Sequence, residues 1–197
     1  MSAALPRSFY ARNTIEVAKD LLGKVLVREA PAGRMAVKIV ETEAYCGPHD
    51  KACHASKGMT DRNKVMFGEP GHAYVYFIYG MYYCLNLVTE GDGYPAAVLI
   101  RAGEPLEGID VMRGPRKKAK KDRDLTSGPG KLCMALAIDR ELNGADLCKK
   151  GPLYVEEGAR DHFEIVRSKR IGVDYAAEYK DKPWRFYIKN NPFVSVK

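Results

Sequence analysis

Long apolar runs are missing from this sequence. The longest, Ala73 to Tyr79 and Leu132 to Ile138, are seven residues each, against the roughly 20 that a helix needs to span hydrocarbon. Paired cysteines are missing too. The five, at 46, 53, 84, 133 and 148, include no Cys-x-x-Cys and are odd in number, which argues for free thiols in a reducing compartment rather than a disulfide framework. The opening residues Met1-Ser2-Ala3-Ala4-Leu5-Pro6-Arg7 lack the basic-then-apolar order of a signal peptide, so the expected address is the cytoplasm, beside the nucleoid in a prokaryote or in the nucleus of a eukaryote. Repeats, low-complexity tracts, a Gly-x-Ser-x-Gly elbow and P-loop glycine spacing are all absent, which removes solenoids and the usual marks of serine hydrolases and nucleotide sites.

What remains is a chain of 197 residues, 46% apolar and 29% charged, a composition that suits one soluble globular domain over residues 1–197. Acidic residues are the scarcer sign, 25 against 32 Lys and Arg, for a net charge of +7; an anionic partner such as nucleic acid is expected. The excess is concentrated. Seven basic residues and one acidic lie between Arg113 and Arg123, so the rest of the chain is almost neutral. That stretch, through Asp124, reads as a mobile loop that holds phosphates.

Local patterns divide the chain into elements. Asn13-Thr14-Ile15-Glu16 resembles a capping box for a helix from Thr14 to Leu22, which Gly23 can stop. Lys24–Glu29 and Arg34–Val40 read as strands joined through Ala30-Pro31-Ala32-Gly33. Met35, Val37 and Ile39 share a face of the second. If alternation continues, Glu41, Glu43 and Tyr45 project from that same apolar side; otherwise the strand ends at Val40 and both glutamates are solvated.

Six of the 19 aromatics fall between Tyr74 and Tyr83. Gly80 can fold this run into a hairpin, Ala73–Ile78 against Tyr82–Val88, with Tyr79 held out at the tip; the other reading is one core strand with Tyr79 buried. Further on, Ala96–Ile100 reads as an apolar strand ending in Arg101. Pro105 then opens a helix through Met112. Thr126-Ser127-Gly128-Pro129-Gly130-Lys131 leads into a helix through Ile138, whose start could hold a phosphate or serve only as a cap. Strands at Leu153–Val155, Phe163–Val166 and Trp184–Ile188 surround a short helix near Tyr175. Together these predict an α+β domain, a mixed and mainly antiparallel curved sheet flanked by helices, with a protruding β-hairpin.

Cys46, His49, Cys53 and His54 lie close together, yet their spacing matches neither structural zinc sites nor zinc deaminases, so no metal is expected. A more specific combination is Val40-Glu41-Thr42-Glu43-Ala44-Tyr45, Gly47-Pro48, His54, Arg62-Asn63, Met66-Phe67, Tyr74 to Tyr82, Asn86, Gly91-Asp92-Gly93, Leu99-Ile100-Arg101-Ala102, Glu104 to Gly108, Ser127 to Leu132 and Arg185-Phe186-Tyr187. In that order these blocks resemble the 3-methyladenine (alkyladenine) DNA glycosylase family along nearly the whole chain. The resemblance implies a monofunctional enzyme, a monomer needing no cofactor, that flips a damaged purine from double-stranded DNA and hydrolyses its N-glycosidic bond.

It also implies roles. Glu43 matches the general base. Tyr45, with His54 and Tyr76 opposite, matches the stacking walls of the base pocket, and Asn86 the residue that discriminates against guanine. Tyr79 matches the side chain that wedges into the minor groove, Arg101 a contact near the flipped nucleotide's phosphate, and Met66 a segment bordering the DNA. Two alternatives stand beside this: a non-catalytic nucleic-acid-binding module, and a bifunctional glycosylase with a lysine nucleophile.

Overall fold

A computed structural model describes residues 3–196. In chain order these form α1 (Arg7–Tyr10), α2 (Thr14–Asp20), β1 (Val25–Ala30), β2 (Gly33–Tyr45), β3 (Ala73–Ile78), β4 (Tyr82–Thr89), β5 (Ala96–Glu107), α3 (Ile109–Arg113), α4 (Arg123–Thr126), α5 (Pro129–Ala135), β6 (Leu153–Glu156), β7 (Ile165–Ser168) and β8 (Arg185–Ile188). Single 3-10 turns at His54–Lys57, Lys64–Phe67, Arg140–Leu142 and Ala177–Asp181 punctuate the connections. The strands make one sheet in the order β3-β4-β5-β2-β1-β6, with β8 joining β2 and β7 joining β8. Every pairing between these strands is antiparallel, so the sheet is more uniform than the mixed one expected. Among the described residues no helix is long and apolar enough to cross a membrane, and all five cysteines are free.

Helix α2 forms where its cap predicts, with Asn13 accepting from the Ile15 amide. It buries Val17, Ala18 and Leu21 against the sheet. The Ala18 carbonyl, near the helix end and without an intrahelical partner, accepts from the Thr42 hydroxyl at 2.8 Å. That bond ties the helix to the centre of β2.

β2 is the organising strand. Its first half pairs with β1 and its second half with β8 on one edge, while β5 runs along the other. The register against β5 slips between Ile39 and Glu41 and again between Glu41 and Thr42. Such a bulge re-aims the side chains beyond it, because a one-residue slip exchanges the two faces. Met35, Val37 and Ile39 belong to the main core, and beyond the bulge it is Val40 and Ala44 that do. Glu41, Glu43 and Tyr45 therefore turn away from that core, which corrects the expectation that they continue its face. The reading in which the strand ends at Val40 with both glutamates in water is also overturned: β2 runs to Tyr45 and both carboxylates are buried.

Two further expectations change. β5 does not stop at Arg101, and Pro105 does not begin a helix; β2 continues as a partner, so β5 runs on to Glu107. Pro105 sits opposite Val37, beside a register shift at Ala36/Val37 where a missing N–H is tolerated. The chain turns into α3 at Gly108, whose φ of +72° favours glycine. The stretch from Arg113 to Asp124 forms turns leading into α4, anchored by an Arg113–Asp122 ion pair and by Arg116, which donates to the Asp124 carbonyl at 2.9 Å.

Candidate active site

The face of the sheet opposite the main core carries a second apolar cluster containing Met66, Tyr74, Val88 and Ala97, with Tyr45 and Tyr76 packed against it. It lines a recess of about 240 Å³, counted with its mouth, bounded by Tyr45, His54, Met66, Tyr74, Tyr76 and Asn86. A wider groove continues outward past Tyr45 and Tyr76 to Tyr79, Arg101, Pro129, Ile171 and Tyr175. The hairpin, the bulged β2, β5 and the loop after β7 thus converge on one opening.

Glu43 lies directly beneath it. The carboxylate is inaccessible to solvent and is enclosed by groove residues: Tyr45 donates its hydroxyl to Oε2 at 2.9 Å, the Ile171 amide donates to Oε1 at 2.8 Å, and the Arg101 guanidinium lies 3.3 Å from Oε1. Burial pushes the Glu43 carboxyl above its ordinary range, the neighbouring Glu41 adds to this, and Arg101, the Ile171 amide and the Tyr45 hydroxyl pull the other way. With two acceptor directions per oxygen, Oε2 keeps one unfilled, enough to accept from a water. Burial also drives the Tyr45 phenol well up, which keeps it a donor to Glu43.

Glu41 has a different task. Its Oε1 accepts from Arg101 Nε at 3.0 Å, Arg185 Nε at 2.7 Å and Ser195 Oγ at 2.9 Å, and its Oε2 from the Ser195 amide at 2.7 Å. Glu41 thus holds two buried arginines, so Arg101, expected at a phosphate, is engaged by two carboxylates while also lining the groove.

The aromatic wall is built on β3 and the 3-10 turn at His54. His54 Nδ1 is 2.9 Å from the Tyr74 hydroxyl, and its ring meets Tyr76 edge-on with centroids 4.6 Å apart. Burial, with Arg62 nearby, pushes the His54 pKa down to about 4, so the imidazole is neutral at neutral pH. Asn86 donates to the Tyr74 carbonyl at 3.2 Å, which fixes its amide at the edge of the recess. Met66 is only 2% exposed and forms part of the recess lining, not an outer surface. Tyr79 is the opposite case. Tyr79 and Gly80 both take positive φ and the Met81 amide closes the turn on the Ile78 carbonyl, leaving Tyr79 85% exposed at the hairpin tip. The buried-strand alternative is thereby excluded.

Several participants gave no local signal. Arg170 pairs with Asp50 across 120 residues of sequence, at 2.5 and 2.8 Å, and places its guanidinium 4.8 Å from the Tyr45 ring centre. Ile171 contributes only a backbone amide, which no residue-type pattern reports. Tyr175, 70% exposed, borders the groove from the loop just ahead of the 3-10 turn Ala177–Asp181, which is the short helix expected near it. The Cys46, His49, Cys53 and His54 group disperses among separate partners, and burial pushes the Cys46 and Cys53 thiols up to about 12 and about 11. Protonated thiols are poor metal ligands.

Comparison with known proteins meets this geometry from the other side. The family model described as methylpurine-DNA glycosylase matches residues 8–192. A protein of Methanocella arvoryzae named "Putative 3-methyladenine DNA glycosylase" is 68% identical over 191 residues, covering 97% of this chain and 95% of its own. Proteins with the same name from Alkaliphilus oremlandii and Clostridium acetobutylicum are 53% and 55% identical, each covering 98% of this chain and 99% and 97% of their own. With one model accounting for almost every element of the sheet and for all the residues around the recess, the chain belongs to the methylpurine-DNA glycosylase family.

Proposed function

We propose that this protein is a base-excision-repair glycosylase that flips alkylated or deaminated purines, of the 3-methyladenine, 7-methylguanine and hypoxanthine class, out of duplex DNA and hydrolyses their N-glycosidic bond. The observation that carries this reading is the buried Glu43 carboxylate beneath an aromatic recess, with an exposed tyrosine wedge at the rim. Tyr79 fills the stack that the extruded base leaves. The base enters between Tyr45 and the His54–Tyr76 wall, where stacking is worth about 1–3 kcal/mol per base. A neutral His54 suits this role, since an imidazolium would repel a cationic methylated purine.

In the chemical step the C1′–N bond breaks and its electron pair leaves with the base. A cationic 3-methyladenine departs neutral, and a neutral lesion such as hypoxanthine takes up a proton from solvent water as it leaves. Positive charge grows on the sugar, and the buried Glu43 anion stabilises it. Water adds to C1′ and gives its proton to Glu43, leaving an abasic site and a protonated carboxyl. The upward shift that burial gives Glu43 makes its carboxylate a stronger proton acceptor than an exposed one. Asn86 at the recess edge is placed to crowd the exocyclic amino group of guanine. No lysine lines the recess or the groove among the described residues, which favours hydrolysis over a lysine adduct.

Glu43→Gln tests the assignment. The variant should bind lesion-containing duplex while releasing no base, measured as alkali-labile abasic sites; full release would sink the reading. If the wild-type protein binds lesion DNA but accumulates no abasic product, the chain is instead a binding module.

A further inference from the structure

One buried ion pair outside the reacting groups touches everything that the proposed chemistry needs in register. The Arg170 and Asp50 side chains are both inaccessible to solvent. Arg170 donates twice to Asp50 and, from the same guanidinium, to the Ala44 carbonyl at 2.9 Å and the Tyr179 carbonyl at 3.2 Å. Asp50 in turn accepts from the Cys46 amide at 3.1 Å and the Ala52 amide at 3.0 Å. The pair therefore fixes the end of β2, on either side of Tyr45, to the loop after β7.

Two consequences meet at the site. The guanidinium lies 4.8 Å from the Tyr45 ring centre and 5.0 Å from that of Trp184, yet lines neither recess nor groove, so it braces the stacking wall from the side away from the base. The next residue, Ile171, gives its amide to Glu43 Oε1. The Arg170 Nε–H has no partner of its own, as expected of a group held chiefly for its plane against aromatic rings.

We propose that Arg170, locked by Asp50, is a positioning residue that sets both the Tyr45 stacking wall and the Ile171 amide that holds Glu43. This rests on Glu43 being the base, and the two ideas fail separately. The charged and titratable groups facing Glu43 are Glu41 and Tyr45 on its own strand, Arg101 on β5, Tyr76 and Cys84 on the hairpin, and Arg170 itself. None but Arg170 is attached to the loop that carries the amide. If Arg170 is lost and the amide swings away, an influence that holds the Glu43 pKa down goes with it.

The experiment compares Arg170→Lys, Arg170→Gln and the paired Asp50→Asn/Arg170→Gln with the wild type and with Glu43→Gln. Breaking a buried pair leaves a lone charge, so Arg170→Gln can fail to fold; the double variant removes both charges together and keeps the test open. Single-turnover base release should fall about a hundredfold in the double variant, the loss typical of misplaced catalytic geometry. The acid limb of its pH profile should move upward. Arg170→Lys keeps the charge but not the planar stack, so it should retain the wild-type acid limb while binding lesion DNA about tenfold more weakly, the scale of one lost stacking contact. An unchanged acid limb in a folded double variant, or wild-type lesion affinity in Arg170→Lys, overturns the proposal. Release that survives in Glu43→Gln overturns the base assignment instead.

Discussion

Replacing Lys117, Lys118, Lys120 and Lys121 with Gln should change how salt affects DNA binding without changing the chemistry. The segment from Arg113 to Arg123 holds seven basic residues, but they are not equivalent. Arg113 is paired with Asp122, Arg123 approaches Asp124, and Arg116 is partly buried, reaching the Asp124 carbonyl and the Met134 sulfur. The four lysines are left, all exposed and with no carboxylate partner to their ammonium groups among the described residues. Each phosphate contact contributes about 0.9 to the slope of log affinity against log salt, so four contacts set an upper limit of about 3.6. Between about 50 and 200 mM salt that difference amounts to roughly a 150-fold change in affinity. Fluorescence anisotropy with a lesion duplex over a salt series measures the slope, and single-turnover base release at low salt should stay at the wild-type rate. An unchanged slope would falsify the assignment of this segment to phosphate contacts.

The rate of base release should rise as pH passes through the elevated pKa of Glu43, because only the ionised carboxylate accepts a proton; a single-turnover pH profile with its acid limb in the ordinary carboxylate range would contradict this. His54, pushed down to about 4, should contribute no limb near neutrality. Tyr79→Ala should leave folding stability within about 0.5 kcal/mol, since the side chain buries almost nothing, while weakening base extrusion as reported by a 2-aminopurine beside the lesion. A variant that unfolds would show that the tyrosine is structural. Glu41→Gln should cost about 3–5 kcal/mol in urea denaturation, because it leaves Arg101 and Arg185 buried without their shared counter-ion; a loss under about 1 kcal/mol would refute that role.

Elements whose signals are local were legible in the residues. Asn13 caps the helix it was expected to cap, and Tyr79-Gly80 makes the tight turn because glycine accepts a positive φ that lets the chain reverse. The long β5 was not legible beyond Arg101. Its continuation depends on β2 being alongside, and a proline that reads as a helix start in isolation is tolerated at a bulge in that pairing. The resemblance placed Tyr45, His54, Tyr76 and Asn86 on one pocket, and the recess brings all four together; it placed Met66 and Arg101 toward DNA, and one is recess lining while the other is held by buried carboxylates.

The sequence by itself determined the inventory: a nearly neutral body with one basic segment, free thiols, an aromatic hairpin and two glutamates at the end of an apolar strand. Only the tertiary structure decided where those two glutamates are held and by what. A shift of one residue between β2 and β5 turned both away from the main core, and different partners then separated them: Arg185 and Ser195, far along the chain, hold Glu41, while Glu43 takes the distant Ile171 amide and the Tyr45 hydroxyl of its own strand. Local alternation cannot report such a difference, because a bulge shows only in the pairing of one strand with its neighbour, and the protonation of a carboxyl depends on what the rest of the chain packs around it.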